Sequence, residues 1–304
     1  MKIIAMLPVK NEAWVLRHCL RSLSFCDEIL AIDDHSSDET RAILEEFTCT
    51  IIPFDTSTTT GWKEYGIRDF LLKEARARGA THLIAIDGDE MFSDAFVQDA
   101  RHLMESLEEG QSLALPWVNV IDTAHAYIPM PQKIFAMRDD HVSLFREQFL
   151  HIPRVPTYGR GTELQSPYAV LHFQYLNVAR NTYKQVWYMM SELIKGERGP
   201  LRINTMYDVR MESAPYPVAT LTSTSLPDPD TDKSMWQKER VLQLLEEYGV
   251  SFFEPLNIWN VPLLHERFLA LMGRSPKPIR APEWLLMINR WKNQLKNFYH
   301  ARFS

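Results

Sequence analysis

The sequence predicts an α/β protein: a mostly parallel central sheet flanked by helices, followed by a mainly helical C-terminal extension. Three observations carry this. Apolar segments of strand length alternate with segments of helical periodicity through the first 90 residues. Two of the apolar segments run straight into carboxylate clusters, at Asp33-Asp34 and at Asp87-Gly88-Asp89-Glu90. Beyond Gly199-Pro200 the alternation stops, and ten of the 18 prolines lie from Pro200 onward.

Ile3 to Leu7 is expected as the first strand, and Pro8 to Glu12 as a loop in which Asn11 can cap the next helix. Ala13 to Leu23 carries Val15, Leu16, Cys19, Leu20 and Leu23 at helical spacing. Glu28 to Ile32 is the second strand, Thr40 to Phe47 the second helix and Cys49 to Phe54 the third strand. Gly61 to Arg78 is largely helical, and Leu83 to Ile86 is a buried fourth strand. Strand–helix alternation implies parallel strands joined by right-handed crossovers. Both carboxylate clusters then fall at one edge of the sheet, where open α/β sheets bind ligands. Massed acids repel one another unless a cation lies between them. Hard oxygen donors suit Mg²⁺ or Mn²⁺, ions that commonly also bind substrate phosphates. Gly88 would let backbone approach a ligand closely. The alternative is an acidic turn leading into a helix capped by Asp89 or Ser93.

Phe92 to Leu107 is expected as a helix and Ser112 to Val120 as one apolar strand. From Ile121 to Pro167, prolines break the pattern, although Lys133 to Arg138 has the form of a short strand. Gly159-Arg160-Gly161 admits either a close backbone approach or a turn. Ala169 to Tyr175 is apolar around His172, a position that fits a core histidine or a ligand. Tyr183 to Ile194 and Lys233 to Tyr248 read as helices, joined across a proline- and aspartate-rich linker at Ser223 to Asp232. The last helix places Trp284, Ile288, Trp291, Leu295 and Phe298 on one face, with basic residues elsewhere. It is expected to pack on the body, to lie on an anionic membrane surface, or to touch a nucleic-acid acceptor.

The bulk numbers narrow the class. A chain of 304 residues suits one large α/β domain plus an extension. The net charge of −6 argues against whole-surface attraction to nucleic acid. Cys19, Cys26 and Cys49 are too few and too scattered for a disulfide framework or a zinc site, so a reducing, cytoplasmic compartment is expected. The N-terminal apolar run breaks at Pro8 without a small-residue cleavage site, and no run reaches transmembrane length.

Three stretches together carry a resemblance: Pro8-Val9-Lys10-Asn11-Glu12, Asp27 to Thr40 with its Asp33-Asp34-His35-Ser36-Ser37-Asp38 core, and Asp87-Gly88-Asp89-Glu90. Each follows an expected strand, and in this order they resemble the family 2 glycosyltransferases of the GT-A fold, over roughly residues 1 to 175. The resemblance implies transfer of a sugar from a nucleoside diphosphate sugar, UDP-linked by preference, to an acceptor hydroxyl, with inversion. It implies a GT-A domain over residues 1–215, with a nucleotide-sugar half at 1–110 and an acceptor half at 111–215, and a helical extension at 216–304.

Residue by residue, the resemblance matches Pro8, Asn11 and Glu12 to the loop near the nucleobase and ribose. Asp33 or Asp34 matches the acid that binds base or ribose. Asp87 and Asp89 match the D-x-D acids, the second of which ligates Mn²⁺ or Mg²⁺. Arg68 matches a basic residue facing the nucleotide or is a solvated helix charge. His172 is implied as a late metal ligand, with His151 as the alternative. The deprotonating carboxylate is expected among Glu163, Asp122, Asp139 and Asp140, with Glu163 first. Glu90 is expected to orient the metal ligands or to face the acceptor. His35 departs from the glycine usual in the family, and no Q-x-x-R-W sequence is present, which makes a processive synthase a poor match. The acceptor is expected to be a glycan, a lipid-linked glycan or a modified nucleobase, with peripheral membrane contact through residues 281–304. The alternatives are a nucleotidyltransferase, for which Pro8 to Glu12 lacks the glycine-rich basic loop, and a non-catalytic sugar-nucleotide-binding protein.

Overall fold

The computed structural model describes residues 1–54, 64–128, 132–146, 153–156, 161–207, 214–280 and 282–287. It divides into two compact units: Met1–Asn177 with Ser213–Ser234, and Val178–Glu212 with Met235–Ser304. The chain re-enters the first unit at 213, so the residues on both sides of position 215/216 belong to that unit.

In the first unit, strands β1 (Ile3–Val9), β2 (Glu28–Asp33), β3 (Thr50–Ile51) and β4 (His82–Ala85) alternate with helices α1 (Leu16–Ser22), α2 (Thr40–Glu46) and α3 (Glu64–Ala77). The four strands are parallel and ordered β4-β1-β2-β3. Their apolar runs are continuous because both faces are covered. Ile3, Ala5, Leu7 and Ile84 face one core with Leu20 and Phe96. Ile4, Met6, Leu30 and Leu83 face another with Leu71 and Leu72. Register pairs Val9 with Asp33 and Met6 with Ala85. Both carboxylate clusters therefore leave the sheet at the same edge.

The next elements are β5 (Glu90–Phe92), α4 (Asp94–Glu105), β6 (Ser112–Leu115), β7 (Trp117–Val120), β8 (His125–Tyr127), β9 (Lys133–Arg138), β10 (Thr162–Glu163), β11 (Val170–His172) and β12 (Ala214–Pro215). β9 pairs antiparallel with both β4 and β6, and β10 forms the outer edge of this seven-stranded sheet. A second sheet has the order β12-β8-β7-β11-β5.

Two sequence expectations change here. The single strand expected over Ser112 to Val120 is two strands in two sheets. The break is at Pro116, which has no N–H to give a ladder and a fixed φ. The helix expected from Phe92 begins at Asp94, because Glu90–Phe92 is drawn into the second sheet opposite β11, with His172 paired to Glu90. That pairing brings a distant histidine beside the acidic turn.

The expected linker at Ser223 to Asp232 is instead a strap on the first unit. Asp94 Oδ2 accepts hydrogen bonds from the Ser223 amide at 2.6 Å and its hydroxyl at 2.7 Å. Val218 and Leu221 are buried with Trp14, Met91 and Phe173. Among the described residues of the second unit are α5 (Val178–Lys195), α6 (Pro200–Met206), α7 (Trp236–Tyr248), α8 (Val250–Phe253) and α9 (Pro262–Met272). Gly249 at φ 80° ends α7, as the sequence predicts. α5 packs on α7, with Trp187 edge-on to Trp236 at 5.4 Å. Within the last expected helix, residues 283–287 are helical, while 281 and 288–304 lie outside the described residues. Among the described residues no helix is long and apolar enough to cross a membrane.

Candidate active site

The loop after β1 is fastened to the loop after β2. The Asn11 amide donates to Ser36 Oγ at 2.8 Å, and Asn11 Oδ1 accepts from the Ser37 amide at 2.7 Å. The Glu12 amide donates to Thr40 Oγ1 at 2.8 Å and the Ala13 amide to Asp38 Oδ2 at 3.1 Å. Asp33 Oδ1 accepts from the Ser36 amide at 3.1 Å, and Lys10 Nζ reaches Asp34 Oδ2 at 3.1 Å. Asn11 and His35 both take left-handed backbone, at φ 53° and 54°. The turn at His35 thus needs the conformation that glycine adopts without strain, and the Ser36–Asp38 contacts hold it there. Pro8, Asn11, Glu12, Asp33 and Asp34 are together at the edge where β1 and β2 end.

After β4, the Asp87–Glu90 turn closes with the Glu90 amide donating to the Asp87 carbonyl at 3.1 Å. A Cβ on Gly88 would stand 3.0 Å from Val9 Cγ1 and 3.1 Å from Glu12 Cγ. The absence of a side chain lets the two loops touch.

Both oxygens of Asp87 are engaged by arginines. Arg68 Nη2 lies 3.1 Å from Oδ1 and Arg154 Nη2 lies 3.0 Å from Oδ2. Arg68 is itself buried and is held by Glu64 at 3.0 Å, so it is not a solvated helix charge. Glu90 has no exposed surface. Its Oε1 accepts from Arg154 Nη2 and from Trp117 Nε1, both at 2.6 Å, and its Oε2 accepts from the Asp87 amide at 3.0 Å. Burial raises the Glu90 pKa, an effect that Arg154 opposes. Burial works against the Arg154 charge, yet Asp87 and Glu90 outweigh it and push that pKa above the ordinary value. Glu90 is therefore tied into the turn by Arg154, Trp117 and the Asp87 amide.

His172 completes the turn's other side. Asn119 Nδ2 donates to the Tyr127 carbonyl at 3.2 Å, which turns Asn119 Oδ1 toward His172 Nδ1 at 2.6 Å. That oxygen only accepts, so Nδ1 carries a proton and Nε2 is the ring nitrogen turned toward Asp89. Nε2 stands 3.4 Å from Asp89 Oδ2. The imidazole also stacks on Trp117, with centroids 4.4 Å apart. A neutral imidazole nitrogen facing a carboxylate suits a shared cation. Among the described residues no group of three or more His, Cys, Asp and Glu side chains is placed to hold an ion alone. Substrate oxygens and water would have to complete the shell, as is usual for Mg²⁺ and Mn²⁺.

Sequence reasoning missed Lys133, Trp117, Asn119 and Arg154. Lys133 Nζ lies 3.0 Å from the centre of the Trp117 ring, and the Arg154 guanidinium lies over Phe135 at 4.8 Å. Burial, then the neighbouring Arg154 charge, lowers the Lys133 pKa to about 8. The proposed bases lie elsewhere. Asp122 accepts from the Ala124 and His125 amides at 2.7 and 2.8 Å in an exposed turn. Glu163 is exposed on β10, separated from β4 by β6 and β9. Asp139 is buried against Arg76 at 2.8 Å, and Asp140 caps the turn at Ser143. Gly161 passes so close to Ser112 that a Cβ would meet its carbonyl oxygen at 2.7 Å, which makes it a close backbone approach. Gly159, Arg160 and His151 lie outside the described residues.

A mixed central sheet flanked by helices, with the Asp87–Glu90 turn, His172, Arg68 and Arg154 gathered at the ends of its parallel strands, is the architecture of this chain, which is a glycosyltransferase of the GT-A fold. Residues 5–163, more than half the chain, match the family described as Glycosyl transferase family 2, and the chain belongs to it. Among solved structures it is similar to S. aureus TarS 1-349 in complex with UDP, at 14% identity over 90% of this chain and 92% of that one, with a TM-score of 0.40. A longer TarS structure is matched at 14% identity over 87% of this chain, which spans about half, 52%, of that one, with a TM-score of 0.40. The mannosyltransferase PcManGT from Pyrobaculum calidifontis, in complex with GDP-Man and Mn²⁺, matches at 10% identity over 96% of this chain and 87% of that one, with a TM-score of 0.41.

Proposed function

We propose that this glycosyltransferase moves a sugar from a nucleoside diphosphate sugar, UDP-linked by preference, to an acceptor hydroxyl with the help of Mn²⁺ or Mg²⁺. The facing pair Asp89–His172 carries this reading. Asn119 holds the proton of Nδ1, so Nε2 is the nitrogen turned toward the Asp89 carboxylate. When bound there, a divalent ion supplies Lewis-acid neutralisation of the diphosphate. Imidazole favours Mn²⁺ over Mg²⁺ as the occupant.

The chain's own groups divide the remaining work. Asn11, Glu12 and the acids Asp33 and Asp34 receive the nucleoside, and Gly88 keeps that loop against the D-x-D turn. Asp87 is held by Arg68 and Arg154 and orients the donor. Inversion requires a carboxylate to take the acceptor's proton. Glu163 and Asp122 remain the candidates for that role if substrate binding brings them to the donor. The acceptor is proposed to be a glycan, a lipid-linked glycan or a modified nucleobase, met in the cytoplasm. Residues 281–304 are proposed to contact an anionic membrane, a reading supported by exposed Trp284 and Met287.

Calorimetric titration with UDP, with and without Mn²⁺, tests the donor site. Binding that needs manganese is expected. Absence of binding with UDP, GDP and TDP alike would remove the donor reading and favour a non-catalytic protein.

A further inference from the structure

The cations around the D-x-D turn are not equally satisfied. Arg68 is held by Glu64 and Asp87. Arg154 spends Nη2 on Asp87 and Glu90, while its buried Nη1 has no hydrogen-bond partner among the described residues. Lys133, only partly exposed, makes no hydrogen bond or ion pair among the described residues, and its ammonium rests on the face of Trp117. An aromatic face satisfies an ammonium only in part, because its three N–H groups still lack acceptors.

Topology places this lysine at the chemistry. β9 runs antiparallel to β4, with Ile84 opposite Ala136. The N-terminal end of β9, where Lys133 stands, therefore lies at the edge where β4 releases Asp87. Charges on Arg154, Glu90, Asp87 and Arg68 all act on Lys133. An incompletely compensated cation among such groups is a station for an anion.

We propose that Lys133, with Arg154 beside it, binds the diphosphate of the donor and stabilises it as the leaving group. The assignment rests on the donor reading above. In the transfer, the bond from the anomeric carbon to the diphosphate oxygen breaks, and its electron pair stays on that oxygen. The acceptor hydroxyl oxygen forms the new bond and loses its proton to a base. Charge on the diphosphate grows as the bond breaks, so a cation fixed beside it stabilises the transition state more than the bound substrate. Lys133 is suited to this because it is preorganised on Trp117 and is not cancelled by a carboxylate of its own.

The test compares UDP with UMP, and GDP with GMP, by calorimetry on the wild type, Lys133→Met and Lys133→Arg. Methionine keeps the stem length and a favourable contact with the indole while removing the charge. The preference of wild type for the diphosphate over the monophosphate is expected to fall roughly tenfold or more in Lys133→Met and to be retained in Lys133→Arg, given the strength of charge-assisted hydrogen bonds. A general structural lesion would weaken both nucleotides equally, and that result would overturn the proposal. An unchanged preference in Lys133→Met would also overturn it. If the wild type binds none of the four nucleotides, the donor reading itself has failed.

Discussion

Asn119 accepts a hydrogen bond from His172 Nδ1 at 2.6 Å, and this bond decides which nitrogen of the ring faces Asp89. Asn119→Leu removes the acceptor while nearly preserving volume. Partners of this kind, one shell behind a metal ligand, typically carry 10- to 100-fold in affinity. Manganese-dependent UDP binding is expected to weaken by about that factor, with metal-free binding unchanged. A calorimetric titration giving equal manganese dependence in variant and wild type would refute the arrangement.

Asp89→Asn keeps the shape of the turn and removes one charge. Its main-chain carbonyl still accepts from the Phe173 amide at 2.9 Å, so the fold is expected to persist. The stimulation of nucleotide binding by Mn²⁺ is expected to vanish. Normal turnover of sugar nucleotide by this variant would show that Asp89 does not hold the ion.

Glu90→Ala leaves the Arg154 guanidinium and the Trp117 indole N–H without their shared acceptor. Removing one partner of a buried ion pair costs about 3–5 kcal/mol. Urea denaturation should record a loss of that order. A loss under about 1 kcal/mol, no more than an exposed pair contributes, would mean that Glu90 is not structurally coupled to the turn.

Lys133→Met should stabilise the protein at neutral pH while impairing its chemistry. The folded pKa of Lys133 is lowered to about 8 from 10.5. Between those values the unfolded chain binds more protons than the folded one, so stability rises with pH across that window. Below about pH 8 the folded state carries the full cost of the buried charge, on the order of 3 kcal/mol. The variant should therefore be more stable than wild type at pH 7, by roughly 1–3 kcal/mol. The difference should shrink as pH approaches 10.5. A pH-independent difference in urea melts would count against a buried, protonated Lys133.

Deleting residues 281–304 should lower co-sedimentation with anionic vesicles, since exposed Trp284 and Met287 stand in that segment and Glu283 is its one acid. A lowered melting temperature with unchanged sedimentation would instead mean that the segment packs on the body.

The parallel strands and the two acidic clusters were legible because each lies within one short run, Glu28 to Asp34 and Leu83 to Glu90. Burial on both faces makes such strands continuously apolar, and their ends are marked by the first charged residues. At His35 the resemblance marked a departure from the usual glycine, and the backbone there does take the left-handed conformation, at φ 54°. The rest of the site is tertiary. His172 reaches the turn because β11 pairs with β5, a strand too short to be separated from the following helix by periodicity. Arg154 stands between Pro153 and Val155-Pro156, which reads only as irregular chain. Lys133 looks like the solvated first residue of a strand until the antiparallel register brings it to the edge of β4. Pro116 was visible, and its missing N–H could have divided β6 from β7 in advance.

The order in which the chain visits the two units constrains how it can be made. It leaves the first unit after Asn177, returns at Ser213 and leaves again after Ser234. During synthesis, α5 emerges before α7, the helix it packs against. The strap carrying Val218 and Leu221, which buries Trp14 and Phe173, emerges between them. Neither unit can complete its core until the other has been partly translated. A fragment cut near residue 215 would therefore expose both an unfinished sheet cover and an orphaned helix, and such a fragment should be a substrate for chaperones and proteases.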